Sequence, residues 1–251
     1  MRPYFATLPT QEIGLELAKH VESFYEYIRR IGRLTLYRRV YDLYYQAMNN
    51  GGRIYYTGES GEYANTDVGD LRNIIQHLWV MTTSQRPSFE PRAANTDYKS
   101  EAQTVLASGL LDYYLREKKL DQVIKQAVEY ALVYGEGYVS LDWNATAGDE
   151  YAASGENVVR DGDLEARAFS ALDVILDFTR YDSRDHAWRI TREFESRYVV
   201  SAKYASGDSE EAEELRAEIE ALSLDAYTKD TMFLTYQLED SELIPVYTFY
   251  H

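Results

Sequence analysis

The sequence predicts an α+β fold, with long N-terminal helices followed by antiparallel strands and hairpins with interspersed helices. Three observations carry this. Apolar residues step by three and four from Ile13 onward, the spacing of one helix face. After Gly135-Glu136-Gly137 the period changes to alternation, the mark of a strand. The chain then closes on apolar, aromatic runs at 231–238 and 243–250, which read as two more strands.

Residues 1–10 read as an extended arm, because Pro3 and Pro9 oppose regular structure. Thr10 is placed to cap a helix. Its stripe runs through Ile13, Leu17, Val21, Phe24, Ile28, Ile31 and Leu34, then on through Tyr37, Val40, Tyr41, Tyr44, Tyr45 and Met48. That is a helix of about 35–38 residues, whole or divided at Gly32, stopped by Asn49-Asn50-Gly51-Gly52. Residues 53–69 read as a short hairpin or loop. Asp67 or Asp70 starts a helix carrying Leu71, Ile74, Ile75, Leu78, Trp79 and Met81. Arg86 to Pro91 is an extended link, since each proline disfavours helix in the residue before it.

A helix from Asp97 to about Lys118 takes Val105, Leu106, Leu110, Leu111, Tyr114 and Leu115 as its core face. Another follows at 119–134, on Leu120, Val123, Ile124, Ala127, Val128, Ala131 and Leu132. Gly135 and Gly137 mark the approach to a hairpin: a strand over 138–143, a long polar connection over 144–162, and a returning strand over 163–169. Residues 170–179 fit either a helical turn or a strand. A strand over 188–194 and helices over 199–205 and 209–222 come next. The last opens with Glu210-Glu211-Ala212-Glu213-Glu214, solvated first turns that suit the helix dipole. Two parts follow: a mainly helical one at 1–137 and an α+β one at 138–251. The run from Leu243 to His251 has no turn or cap after it, so it reads as the first edge of a sheet that continues in a longer protein.

Composition narrows the function. No cysteine is present, which excludes disulfide and thiolate chemistry and favours an intracellular over a secreted setting. No apolar run is long enough to span a membrane, and Met1 to Phe5 lacks a signal peptide's apolar core. Residues 1–140 carry 16 Lys and Arg against 17 Asp and Glu, whereas 141–251 carry 10 against 25. A protein that grips phosphates should be basic, so the second half suits a solvated face or a wall that must not hold DNA tightly. There are 24 tyrosines in 251 residues; this rigid, amphipathic side chain suits large subunit contacts as well as ordinary core and surface positions.

No catalytic constellation emerges. His20, His77, His186 and His251 are far apart in sequence and read as surface or core-edge residues. There is no His-Glu-x-x-His pattern, no glycine-rich phosphate loop and no nucleophile elbow. Asp173 with Asp177, and Asp182 with Asp185, have spacings that suit either a divalent ion or plain turn capping. Arg29, Arg30, Arg33, Arg38 and Arg39 fall within eleven residues. They read either as a solvated face pairing with Glu22, Glu26 and Asp42, or as a contact with nucleic acid or an acidic neighbouring subunit.

Several stretches resemble the N-terminal wing portion of tailed-bacteriophage portal proteins, the head–tail connectors. Gln85 to Pro91 resembles that family's early Arg-Pro segment, and the two helices between Ala102 and Tyr134 its helix pair. Gly135-Glu136-Gly137-Tyr138-Val139-Ser140-Leu141-Asp142-Trp143 resembles its Gly-x-Gly approach to a β hairpin. Leu172-Asp173-Val174-Ile175-Leu176-Asp177 and Ala187 to Arg192 follow as the family's pattern has them, and Val246-Tyr247-Thr248-Phe249-Tyr250-His251 resembles its Val-x-x-Phe-Tyr-His strand. The likeness covers most of 70–251. It departs at Asp177-Phe178, where the family has Asp-Pro, and it lacks the family's later stem and clip.

The resemblance implies a non-enzymatic structural component of the virion, a homo-oligomeric ring of about twelve subunits. Such a ring sits at the portal vertex of the capsid and is assembled in the host cytoplasm. It conducts double-stranded DNA, non-specifically, during packaging and ejection. Its implied partners are the terminase motor, which hydrolyses the ATP, and the capsid and tail adaptor proteins; it needs no membrane, cofactor or metal. The arginine set would then make subunit or DNA-proximal contacts. The connection 144–162 would touch a neighbouring subunit or the shell. Competing readings are another head–tail adaptor or assembly protein, and an intracellular metal-dependent enzyme domain built on Asp173, Asp177, Asp182 and Asp185.

Overall fold

The computed structural model describes residues 7–45, 70–85, 89–93, 95–145, 147–151, 159–180, 185–205, 210–222 and 242–251. Helices precede antiparallel strands, and two further helices are interspersed, giving the α+β arrangement. The expected loop at 53–69, the stop at 49–52 and the strand at 231–238 lie outside the described residues. Among the described residues no helix is long and apolar enough to cross a membrane. By packing, the chain forms two compact units: Met1–Gln46 with Leu172–His251, and Ala47–Ala171.

The first unit opens with α1 (Thr10–Arg30) and α2 (Arg33–Tyr44). Thr10 is the first helical residue and not the cap. Pro9 takes the N-cap position, and its carbonyl accepts from Ile13 N–H. Proline suits that position because it has no N–H to leave unpaired. The long stripe is cut in two at Gly32, whose φ of +76° ends one helix and starts the next; a side chain there is strained. α2 stops at Tyr44, short of Met48.

Three antiparallel strands follow in the order β5-β6-β7: β5 (Val174–Leu176), β6 (Arg189–Ser196) and β7 (Leu243–Tyr250). Residues 170–179 therefore resolve into a turn and the short strand β5. Register places Ile190 between Ile175 and Phe249. Ile175, Ile190 and Tyr25 of α1 are the most completely buried large side chains. Two short helices, α6 (Arg197–Tyr204) and α7 (Glu210–Ala221), join a second core cluster of Val200, Ala205, Ile219 and Ile244.

In the second unit, α5 (Leu120–Tyr134) is the hub. It packs against α3 (Asp70–Thr83), α4 (Tyr98–Glu117), β1 (Gly137–Asn144) and β4 (Asp163–Ser170). β1 and β4 pair antiparallel over eight residues each, from Gly137 opposite Ser170 to Asn144 opposite Asp163. The connection carries a short second ladder, β2 (Glu150–Tyr151) with β3 (Val159–Arg160). Gly148 and Gly162 turn the chain between the ladders with φ of +89° and +74°.

One expectation fails here. Val105, Leu106, Leu110 and Leu111 are exposed, and α4 buries no residue. Its half-buried positions are Ser100, Thr104, Ala107, Ser108, Tyr114 and Leu115. Periodicity shows that a helix has an apolar face. It does not show what covers that face.

Candidate functional site

The second unit turns much of its bulk outward. On α4, Val105, Leu106, Gly109, Leu110 and Tyr113 follow one another at helical-neighbour spacing. All are exposed, Val105 and Leu106 by 74%. Ser100, Thr104, Ala107 and Ser108, mostly small residues, are half-buried instead, and α4 contacts α5.

α3 repeats the pattern. Leu71, Ile74, Leu78 and Met81 step by three, four and three, and all are exposed. Only Ile75 is fully buried, and Trp79 Nε1 donates to the Lys125 carbonyl of α5 at 2.9 Å. On the ribbon, Val139, Leu141 and Trp143 are exposed on one face of β1, with Ala168, Ala166 and Leu164 opposite. The other face holds polar pairs, including Asn144 with Glu165 at 2.7 Å. An apolar exposed face backed by a polar one reverses what water favours for an isolated ribbon.

The glycines at 135 and 137 have separate tasks. Gly135 ends α5 in the left-handed region, φ +87°, its N–H donating to the Ala131 carbonyl at 2.9 Å. Gly137 brings β1 against α5, and a Cβ there would stand 2.0 Å from the Ala127 carbonyl oxygen. Lys118, capping α4, pairs with Asp163 at the start of β4. The hydrogen bond from Lys118 chiefly holds the Asp163 pKa below its ordinary value, and the same bond holds that of Lys118 above its own.

Arg29 and Arg30 lie in the last turn of α1, and Arg33, Arg38 and Arg39 lie on α2 beyond the Gly32 break. All five are exposed.

Asp173 and Asp177 are engaged within the fold. Asp173 accepts from Arg192 Nη2 at 2.9 Å and Nε at 3.2 Å. The Arg192 side chain is 1% exposed, and its guanidinium lies 5.3 Å from the Tyr25 ring centre and 4.9 Å from that of Phe194. Burial opposes its charge, but Tyr25 and Asp173 outweigh burial and raise its pKa. The Tyr25 hydroxyl donates to the Leu172 carbonyl at 3.1 Å. Asp177 is buried and accepts from the Thr179 amide and hydroxyl. Asp185 is exposed and Asp182 lies outside the described residues. Among the described residues no three His, Asp or Glu side chains gather to hold an ion. His20 packs on Trp188 at 4.8 Å, His186 contacts the Arg180 carbonyl, and His77 and His251 are exposed.

A cavity of about 460 Å³ lies between α1 and the strands β6 and β7. Its walls, Leu17, Val21, Ile190, Tyr247 and Phe249 among them, are apolar apart from Glu22. It offers space for an apolar side chain and brings no set of polar groups together. No protein-family model matches the chain, and no curated protein matches it significantly.

Proposed function

We propose that this chain is the wing portion of a bacteriophage portal protein, a structural ring component that conducts double-stranded DNA and receives the tail. The observation that carries the reading is α4, a 20-residue helix with no buried residue and with Val105, Leu106, Leu110, Leu111 and Tyr113 in solvent. A helix so placed needs a neighbour, and a ring supplies one to every copy.

Two further features support it. The segments that resemble the family fall on defined elements in chain order: the α4–α5 pair, the β1–β4 hairpin, the strands β5 and β6, and, after α6 and α7, the strand β7. The acidic second half of the sequence suits a conduit that must release DNA. The exposed arginines of α1 and α2 are assigned to subunit or DNA-proximal contacts. Electron microscopy of the purified protein with symmetry classification tests this. A closed ring of about twelve copies around an open channel is expected. A defined monomer, or a two-fold dimer, of the full-length protein with its stem rejects the reading.

A further inference from the structure

The outward stripes of α3 and α4 are not alike, and their difference says how two copies meet. The α3 stripe is a ridge: Leu71, Ile74, Leu78 and Met81, all long side chains in a three-four-three spacing. That spacing places knobs along one seam. The α4 stripe is notched. Gly109 sits between Val105, Leu106, Leu110 and Tyr113 on an exposed surface, and a Cβ at Gly109 would meet nothing within 4 Å.

We propose that copies of this chain associate head to tail, the α3 ridge of one copy lying in the α4 notch of the next. This rests on the ring reading and assigns its contact. A ridge fits a groove better than it fits another ridge, so a two-fold pairing of like stripes wastes the complementarity. Weighted by their exposure, the two stripes together present on the order of 1,000 Å² of apolar side chain, about the minimum for a specific interface. Charge does not oppose the contact. α3 carries one acid and one base, and α4 three acids and two bases, so the chain's net charge of -16 resides mostly elsewhere. When the ridge and the notch of one copy meet two different neighbours the contact is heterologous, and such contacts close into rings when the rotation permits.

Sedimentation velocity on the full chain tests this with Ile74→Glu and Leu106→Glu, both at exposed positions. The wild type is expected to sediment as assemblies larger than a dimer. Each variant alone is expected to weaken association by about thirtyfold or more and run as a monomer. An equimolar mixture of the two retains one intact ridge and one intact notch, so it gives one-to-one dimers and nothing larger. Ile74→Gln and Leu106→Gln, with unchanged circular dichroism, guard against misfolding by the charged variants. If either single variant forms dimers by itself, the contact is two-fold and the proposal falls. If both variants form the wild-type rings, the proposal falls while the portal reading stands. Wild-type assemblies that obey the mixing rule but remain open keep the proposal and remove the portal reading. A monomeric wild type overturns the proposal, and the portal reading is then decided by microscopy of the full-length protein.

Discussion

The strands of the first unit and the helices of the second use apolar residues in opposite ways. Around β6, Ile175, Ile190 and Tyr25 are enclosed almost completely, and even the arginine at 192 is covered by two rings and matched to Asp173. In α3 and α4 most large apolar side chains stand in water, with Ile75 buried and Trp79, Tyr114 and Leu115 half-buried as the exceptions. One region satisfies its own chemistry. The other leaves large apolar side chains exposed, surface that the proposed association would bury. A stability measurement and an assembly measurement therefore report on different residues of the same chain.

Removing matched bulk from each region is the most direct way to break this comparison. Ile190→Ala is expected to cost about 3–4 kcal/mol in urea denaturation, as a fully enclosed side chain should. Leu110→Ala is expected to change stability by less than about 0.5 kcal/mol, since an exposed residue loses little. Equal losses at the two positions would abolish the distinction.

A narrower contrast lies within the second unit. Gly137→Ala drives a Cβ into the Ala127 carbonyl, at a cost of about 2–3 kcal/mol. Gly109→Ala meets open space and is expected to stabilise α4 by about 0.5–1 kcal/mol. It fills the notch at the same time, so thermal melting should rise while assembly weakens. A Gly109→Ala variant that melts higher and assembles as well as the wild type would show that the notch is not used.

The smallest expected effect is on pH. The folded pKa of Asp163 is depressed, so its contribution is present above the ordinary carboxylate pKa and fades as pH falls through the depressed value. The folded pKa of Lys118 is raised, so its contribution is present below the ordinary lysine pKa and is lost as pH rises through the raised value. Asp163→Asn should therefore be slightly less stable than wild type at neutral pH and equal to it in strong acid. A stability difference between them that persists unchanged into strong acid would mean that Asp163 acts through packing instead.

Much of the architecture was legible because it is written in periods. The change from steps of three and four to alternation at Gly137 marks where β1 begins, and the glycine at 32 marks where the first helical stripe divides. Two matters were not legible. A period cannot tell a covered apolar face from an exposed one, and on α4 only Tyr114 and Leu115 of the expected core face are partly covered. The run of small residues at 100, 104, 107 and 108 was the available signal, and it is a weak one. Arg192 occupies an inward step of its strand's alternation, in phase with Ile190 and Phe194, yet its charge argues for the surface. Asp173 and the two rings that settle the matter come together only in the folded chain.

The bare faces of α3 and α4 also set a clock. If copies pair as proposed, then from synthesis until pairing each chain carries adhesive surface that any other exposed apolar segment can capture. Correct pairing is then a race between encounter with the right stripe and encounter with anything else. Its outcome depends on how many chains are made together, because both the right encounter and the wrong one quicken with concentration.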